Sequence, residues 1–334
     1  MRVCYQIFVL SLFTVSVSSF FVEAGTASKD LFEINKKKIS SEDLPKVLRQ
    51  QLYDVESHSK EKINQIINNY LFETHVENLA KKEKKEKDKI IDELLQTKPA
   101  SDADAKKWYE NNVDKIGKRP FNMIKQEIIG FLNEKKSIDK KNDLIKKIKE
   151  TLNYKSLLPE ITPPKFDINV SGFPTLGAKK SSLTLVEFAD YQCPHCKMAA
   201  LNIKKILKKY ESKMKFVYID FPINHSGISK IVAEGASCAN EQNKYWEFHD
   251  LAFENQRKLN KESPREFATQ LQLDMKKFEK CLETGSGKSF VAEAKKKGAD
   301  IGVTGTPALF LNGVKMHGYS EESLEKAIKE ALKM

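Results

Sequence analysis

A change of pattern near the middle of the chain most constrains what it can fold into. Three prolines, Pro159, Pro163 and Pro164, fall within six residues of the stretch LLPEITPPKFDINVSGFPTLG. From about residue 40 to residue 154, upstream of this stretch, apolar residues recur at helical intervals, and neither a strand pattern nor a cysteine occurs. Clustered prolines between differently patterned regions indicate a domain boundary. We therefore predict a helical N-terminal domain over residues 25–158 and a Pro-rich linker over 159–170.

The N-terminal region carries several helix signals. In INQIINNYLFETHVENL, the residues Ile63, Ile66 and Tyr70 are spaced like one face of a helix. The segments SSEDLPKVLRQ and SDADAKKWYE open with serine before acidic residues, as N-caps do, and RPFNMIKQE has proline near a helix start. The region predicts roughly four to six helices with a modest apolar face.

Strands and helices are mixed after the linker. SLTLVEFAD indicates a buried strand, PHCKMAALNIKKILKKYES a helix that follows it directly, and MKFVYIDFPI a second strand. Helical segments fill residues 226–297, TPALFLNGVKMHG returns to strand, and SEESLEKAIKEALKM closes with a helix. This order predicts an α/β domain over residues 171–334 with a helical insertion at about 226–297.

The first 24 residues have the pattern of a secretory signal peptide. Arg2 precedes an apolar stretch, which ends at Val22-Glu23-Ala24. A short basic segment, an apolar core and small residues before the cut predict cleavage after Ala24. The alternative is an uncleaved membrane anchor, but the stretch is short for a spanning helix and contains several Ser and Thr residues. We therefore expect a periplasmic or secreted protein.

The positive charge of the chain does not favour a nucleic-acid partner. The formal net charge is +11, but lysine supplies nearly all of it: of 57 basic residues, only five are arginine. Phosphate and base recognition usually draws on the bidentate guanidinium of arginine. We interpret the lysines as solvating the surface and predict no nucleic-acid partner.

Four cysteines remain after signal cleavage, namely Cys193, Cys196, Cys238 and Cys281. An even number in an exported protein fits two disulfides, and four cysteines allow three pairings. The close spacing of the first two favours 193–196 with 238–281. Two unpaired buried cysteines at 238 and 281 are the alternative.

Cys193-Pro194-His195-Cys196 joins the first predicted strand to its helix. Pro194 suits the first helical position, where a backbone N–H would have no partner. Free N–H groups and the helix dipole would then stabilise a thiolate at Cys193. His195 can add a positive charge or a hydrogen bond, and Cys196, one turn on, can attack a mixed disulfide.

A zinc half-site is the main rival interpretation of this motif. Structural zinc needs about four ligands, but the next cysteines lie 42 and 85 residues beyond Cys196, without a second Cys-x-x-Cys. Soft-metal handling by the two thiolates is a further alternative, although no Met- or His-rich tract supports it. A purely structural disulfide across three residues is less favoured still. We predict a redox pair, with no metal and no cofactor.

Several segments together resemble the DsbA family of thioredoxin-fold thiol–disulfide oxidoreductases. They are LTLVEFADYQCPHCKMAALNIKKI, FPINHSG, AEGASCANEQNKYWEFHDLAFENQ, FEKCLETG and VTGTPALFLNG, in the family's order and spacing. The resemblance covers about residues 166–334, roughly half of the chain. It implies a thioredoxin core with a helical insertion, following an all-α N-terminal domain.

The resemblance also implies roles for individual residues. Cys193 would be the nucleophile and Cys196 the resolving thiol, with His195 tuning them. Thr306 and a cis-Pro307 would hold an extended substrate against the sulfur. Three further residues match the family, but each also has a simpler interpretation. Glu187 matches a buried acid that assists proton movement, and the alternative is a glutamate on the surface of a strand. Cys238 and Cys281 match a second disulfide, and the alternative is two unpaired cysteines.

The N-terminal region has a looser resemblance to the helical chaperone region of SurA-type periplasmic proteins. A plain spacer or an oligomerisation arm explains the same helical patterns. The expected partners are unfolded or cysteine-containing exported proteins, a membrane or soluble redox partner, and a second copy through the N-terminal helices. The favoured activity is dithiol oxidation. The alternatives are a disulfide isomerase or reductase with a chaperone-like N-terminal domain, and a non-catalytic client-binding chaperone.

Overall fold

The structure is a computed structural model that describes residues 30–116, 119–178 and 180–333. The predicted signal segment, residues 1–24, lies outside the described residues. The chain divides into two compact units, Met1–Asp43 and Leu44–Met334, and each is described by itself. No helix in the described ranges is long and apolar enough to cross a membrane.

A β-hairpin in the first unit was not predicted from the sequence. Strand β1 (Asp30–Ile34) pairs antiparallel with β2 (Lys37–Ser40) across Asn35 and Lys36, which both have positive φ, as a two-residue hairpin turn requires. Its strands are short, and the apolar side chains of Phe32 and Ile34 are largely exposed, so the hairpin buries little apolar surface. Ser40 donates through its backbone N–H and its hydroxyl to the Asp43 carboxylate, 2.8 Å each, within a short 3-10 turn.

Five helices follow in the second unit. They are α1 (Lys46–Glu83), α2 (Lys87–Leu95), α3 (Asp102–Glu110), α4 (Val113–Ile116) and α5 (Phe121–Thr151). Helix α1 begins after Pro45, so the predicted serine cap at its start is wrong. Helix α3 has the predicted cap, because Ser101 and Asp104 form a reciprocal capping box. These helices bury two small apolar clusters, one around Phe72 and Val76 and the other around Ile124 and Ile128.

A five-stranded mixed sheet organises the C-terminal half. Its strands are β3 (Thr175–Gly177), β4 (Leu183–Ala189), β5 (Met214–Asp220), β6 (Ala308–Leu311) and β7 (Val314–Lys315). Their spatial order is β3-β5-β4-β6-β7, and only β4 and β5 run parallel. Helix α6 (Pro194–Tyr210) connects these two strands. The predicted α/β fold with a preceding helical region is thus confirmed, and β3 is an additional short strand.

Helices cover both faces of this sheet. Between β5 and β6 lie α7 (Ile228–Asn240), α8 (Tyr245–Glu254), α9 (Ser263–Gln270), α10 (Met275–Thr284) and α11 (Ser286–Asp300), and α12 (Glu321–Ala331) ends the chain. Alternate residues of β4 face opposite sides: Leu185 packs in the cluster with α6 to α10 and α12, whereas Phe188 packs in the cluster with α11. The central strand β4 is therefore buried on both faces.

Helix α1 contacts the sheet domain near the β6–β7 hairpin. Asp54 accepts a hydrogen bond from Lys315 at 3.0 Å and lies 3.6 Å from His317 Nε2. The Tyr53 ring stacks on the His317 ring, with 6.1 Å between centroids. A helix of the N-terminal region is thus attached directly to the segment between β7 and α12.

Candidate active site

The Cys-Pro-His-Cys motif lies at the junction of β4 and α6. After Ala189 the chain makes a three-residue loop, and Cys193 is the N-cap residue of α6 with extended backbone angles, φ −77° and ψ 118°. Pro194 is the first helical residue, where its missing N–H costs nothing. The sulfur of Cys193 therefore lies at the positive end of a 17-residue helix.

The two cysteines of the motif have different surroundings. Both are free thiols, but Cys193 is partly exposed and Cys196 is fully buried. The Cys193 sulfur lies 3.3 Å from the carbonyl oxygen of Thr306. The backbone N–H of Asp190 points at the Cys196 sulfur, with 3.5 Å between nitrogen and sulfur. Only Cys193 is open to an incoming disulfide or thiol.

The same surroundings separate the acidities of the two thiols. The pKa of Cys193 falls to about 5, first because the Cys196 thiol donates a hydrogen bond to its sulfur, and further because backbone N–H groups of Cys196 and His195 do so. Burial raises the pKa of Cys196 well above the usual range of a thiol, and the Cys193 sulfur and the charge of Glu187 add to this effect. At neutral pH Cys193 is a thiolate, while Cys196 keeps its proton.

His195 faces a different partner from the one its sequence position indicates. Its imidazole Nδ1 lies 2.6 Å from the hydroxyl of Tyr319, in the segment before α12. The hydrogen bond from His195 to the Cys193 sulfur comes from its backbone N–H. The imidazole ring was expected to stabilise the Cys193 sulfur, but the backbone N–H of His195 does so instead. The ring links the motif to Tyr319.

Thr306 and Pro307 lie beside the reactive sulfur because of strand register. Ala308, the first residue of β6, pairs with Phe188 near the end of β4, so the loop before β6 runs past the start of α6. The Thr306–Pro307 peptide bond is cis. The hydroxyl oxygen of Thr306 is buried and has no hydrogen-bond partner among the described residues. This loop and Cys193 thus form one continuous edge of the site.

Glu187 lies beneath the motif. On β4 it shares its side with Leu185 and Ala189, which pack against α6. It is completely buried, and neither carboxyl oxygen has a hydrogen-bond partner among the described residues. Burial, followed by the nearby charge of Cys193, raises the pKa of Glu187 to about 8. The surface-glutamate alternative is therefore wrong, and the carboxyl group is protonated at neutral pH.

A cavity of about 70 Å³ adjoins this carboxyl group. His249, Trp246, Asp250 and Lys204 share its lining with Glu187. His249 is buried, and its Nε2 has no partner in the described part of the chain, whereas its Nδ1 lies 3.2 Å from Asp250. The rings of Trp246 and His249 pack against each other, and both residues border the space next to the buried acid.

Comparison with known proteins agrees with this geometry. Residues 170–330 match the family model described as thioredoxin. A "Putative protein-disulfide oxidoreductase" of Rickettsia felis is 27% identical over 227 residues, which cover 63% of this chain and 79% of that protein. Residues 170–330 form a DsbA-family thioredoxin domain.

Two further comparisons match only part of this chain. "Na(+)/H(+) antiporter NhaA 3" of Salinispora tropica is 32% identical over 157 residues, and the match spans 46% of this chain but only 24% of the antiporter. The crystal structure of the thiol-disulfide exchange protein α-DsbA2 from Wolbachia pipientis aligns with a TM-score of 0.44 at 25% identity. That alignment covers 48% of this chain and 88% of the other.

The active-site loop of the DsbA-like domain is held by a residue that the sequence analysis missed. The Asp190 carboxylate is buried and accepts hydrogen bonds from the backbone N–H groups of Ile223 (2.7 Å), Asn224 (3.0 Å) and Gln192 (2.7 Å), and from the Ser229 hydroxyl (3.1 Å). These bonds join the motif to the loop after β5 and to the start of α7. An Asp followed by an aromatic residue just before the motif is the only signal in the sequence, and it does not identify these partners.

The helical insertion of the DsbA-like domain holds the motif from the other side. Gln256, just after α8, donates from its side-chain amide to the carbonyl oxygens of Tyr191 (2.8 Å) and Cys193 (2.9 Å). Within the insertion, Cys238 on α7 and Cys281 on α10 form a disulfide with a Cα–Cα distance of 5.7 Å. The structure thus brings Cys193, Pro194, His195, Cys196, Glu187, Thr306 and Pro307 together and gives Cys238 and Cys281 a separate, structural position.

No metal centre is evident in the residues that the structure describes. Within 30–116, 119–178 and 180–333, no group of three or more His, Cys, Asp and Glu side chains has an arrangement that could hold a metal ion.

Proposed function

We propose that this protein is an exported protein-disulfide oxidoreductase that acts as a dithiol oxidase. The observation that carries the proposal is the contrast within one motif. Cys193 is accessible with a pKa of about 5, whereas Cys196 is buried and keeps its proton. A pair of thiols in which the accessible member, Cys193, is a good leaving group is suited to thiol–disulfide exchange.

The reaction begins with the oxidised Cys193–Cys196 pair. A client thiolate attacks the Cys193 sulfur, forms a mixed disulfide with it, and releases Cys196 as a thiolate that needs a proton. The Glu187 carboxyl group is neutral at this pH and lies close enough to interact with both sulfurs when ionised, and it supplies that proton. A second client thiolate then attacks the client sulfur of the mixed disulfide. This step forms the client disulfide and releases Cys193 as a stable thiolate.

The direction of exchange follows from the stabilised thiolate. Hydrogen bonds to the Cys193 sulfur favour the reduced pair, and a stabilised reduced form makes its disulfide a stronger oxidant. Each turnover leaves the pair reduced, so a membrane or soluble redox partner must take its two electrons. The edge formed by Thr306 and Pro307 is the proposed docking place for an extended client segment containing the reacting cysteine.

One observation supports export, because the disulfide between Cys238 and Cys281 fits an oxidising compartment. The proposed activity is supported by the name of a relative, "Disulfide bond formation protein D" of Bacillus subtilis. It is 25% identical over 177 residues, which cover 48% of this chain and 79% of that protein. We propose that the clients are exported proteins with cysteines, and that signal cleavage near Ala24 delivers the enzyme to the periplasm or the cell exterior.

The deciding experiment is the reduction potential of the 193–196 pair in the mature protein, residues 25–334, equilibrated with glutathione buffers. A reduction potential of about −120 mV is expected for a dithiol oxidase. A potential of about −200 mV or lower would indicate a reductase or an isomerase instead. The variant Cys196→Ser should accumulate mixed disulfides with client proteins, and Cys193→Ser should not. If no reversible thiol–disulfide exchange is observed, the proposed enzyme activity is refuted, and the non-catalytic client-binding chaperone becomes the favoured function.

A further inference from the structure

Helix α1 carries a row of six apolar residues and one serine that largely faces solvent. We name it the α1 stripe. It consists of Leu48, Leu52, Val55, Ser59, Ile63, Ile66 and Tyr70. Five of its members are exposed to 42–69% of their full surface, namely Leu48, Val55, Ile63, Ile66 and Tyr70. Scattered exposed apolar residues are ordinary, but a contiguous row of this size on a soluble helix marks an interaction surface.

The α1 stripe lies on the side of the helix that the rest of the second unit does not use. At about 100° per residue, the stripe occupies about 80° of the helix circumference. Tyr53 and Asp54, which contact His317 and Lys315, lie roughly on the opposite side. Phe72 and Val76, which pack in the cluster with α2 and α5, also lie away from the stripe. Folding of the unit therefore leaves the stripe available.

The spacing of the α1 stripe is symmetric. Its members follow one another by 4, 3, 4, 4, 3 and 4 residues, so the pattern is the same from either end and is centred on Ser59. The pattern also repeats every 11 residues, which keeps the row nearly parallel to the axis of a straight helix. None of the seven positions carries a charged side chain.

We propose that the α1 stripe is a dimer interface, in which the α1 helices of two copies of this chain lie antiparallel about a two-fold axis at Ser59. Two-fold interfaces require a surface that is complementary to itself, and an antiparallel copy centred at Ser59 supplies this. Leu48 of one copy lies level with Tyr70 of the other, and Val55 lies level with Ile63. Leu52 pairs in the same way with Ile66.

The side chains interdigitate in this arrangement. In each pair of residues that lie level, the side chain from one copy points slightly to the left of the stripe centre and the side chain from the other copy points slightly to the right. This follows because the positions of the two residues around the helix differ by about 40–80°. The two serines meet on the axis, where a small side chain lets the helices approach closely. If the dimer covers their exposed surface completely, five apolar side chains from each copy bury on the order of 1,000 Å² together, which is close to the lower limit for a specific interface.

A second copy explains the α1 stripe better than an unfolded client does. Binding of varied client segments needs apolar surface but gives no reason for a pattern symmetric about one residue. An isologous interface needs such symmetry. Because the DsbA-like domain is attached on the opposite side of α1, two such domains fit on the outside of the helix pair without blocking it.

Sedimentation equilibrium of residues 25–334 tests the association. The unmodified chain should be a dimer at micromolar concentration, and Ile66→Asp should raise the dissociation constant at least about 100-fold because it buries a carboxylate in the apolar row. Met123→Asp on α5 is the matched control, since Met123 is also exposed, at 77%, but lies off the stripe. Circular dichroism checks that both variants keep their helices. A monomer up to about 100 μM, or an equal effect of Met123→Asp, would overturn the proposal.

Cysteine cross-linking tests the orientation, in a background in which Cys193 and Cys196 are serine. A mixture of the single variants Val55→Cys and Ile63→Cys should give a mixed disulfide dimer under mild oxidation. Val55→Cys alone should not, because its two copies lie about 12 Å apart along the axis. Self-linking of Val55→Cys would indicate parallel helices and refute the antiparallel dimer. Neither readout involves redox activity, so the result is independent of the proposed function.

Discussion

Replacing Glu187 by glutamine should change how stability depends on pH. The carboxyl group is fully buried without a partner in the described residues, and burial raises its pKa from the usual 4.5 to about 8. Between these values the folded chain holds the proton, whereas the unfolded chain releases it. Since the unfolded state then binds fewer protons, the free energy of unfolding falls as pH rises.

The size of this effect follows from the width of the pH interval. Each pH unit above 4.5 lowers the free energy of unfolding by about 1.4 kcal/mol until the folded carboxyl group ionises near pH 8. The accumulated loss is about 3 kcal/mol at pH 7 and about 5 kcal/mol at pH 8 and above. Glutamine does not titrate, so Glu187→Gln should not lose stability in this way. Relative to the wild type, its free energy of unfolding should rise by these amounts over the same pH range.

Urea unfolding at pH 5, 7 and 8.5 measures the difference. Both proteins should carry Cys193→Ser, because the lowered pKa of Cys193 gives stability the opposite slope. Burial, the main cause of the Glu187 shift, remains in that background. Glu187→Leu provides an apolar control that should be equally free of the slope. If the wild-type and glutamine curves run parallel across this range, Glu187 is not a buried neutral acid and its role as proton donor fails.

Three other perturbations test the surroundings of the site. The thiolate absorbance of the reduced protein near 240 nm should appear with a midpoint near pH 5 and vanish in Cys193→Ser; a midpoint above pH 8 would contradict the hydrogen bonds to that sulfur. Replacing Cys238 and Cys281 together by alanine should cost about 4 kcal/mol in urea unfolding, because the disulfide closes a loop with a sequence separation of 43, and no loss would contradict the disulfide. Asp190→Asn should lower stability by about 2–4 kcal/mol by weakening hydrogen bonds to two segments of chain, and hydrogen exchange should rise in the loop after β5; unchanged exchange would count against this network.

Local patterns in the sequence were sufficient to predict the motif and its supporting elements. A run of apolar residues before Cys193 and a proline after it specify a buried strand that leads into a helix start. These features depend on residues within a few positions of one another, so the linear sequence contains them. Pro307, in contrast, was expected through the resemblance of VTGTPALFLNG to the DsbA family.

Contacts between distant segments were not predictable in the same way. Asp190, Gln256 and Tyr319 act through partners that lie 34, 63 and 124 residues away, at distances fixed only by the folded chain. The ring of His195 illustrates the consequence, because sequence position assigns it to the sulfur next to it, whereas the fold supplies Tyr319 instead. The hairpin of β1 and β2 was missed for a different reason, since its strands of five and four residues are short and mostly exposed.

The short segment from Lys315, the last residue of β7, to Tyr319 contacts both the helical region and the DsbA-like domain of the second unit. At one end Lys315 and His317 face Asp54 of α1, and two residues on Tyr319 bonds to His195 beside the reactive cysteine. A DsbA-like domain produced without α1 would lose Asp54, whose carboxylate faces Lys315 and His317. Its catalytic motif would be unchanged in sequence. The helical arm therefore belongs in any minimal enzyme designed from this chain, and grafting the domain onto another carrier should include a replacement for Asp54.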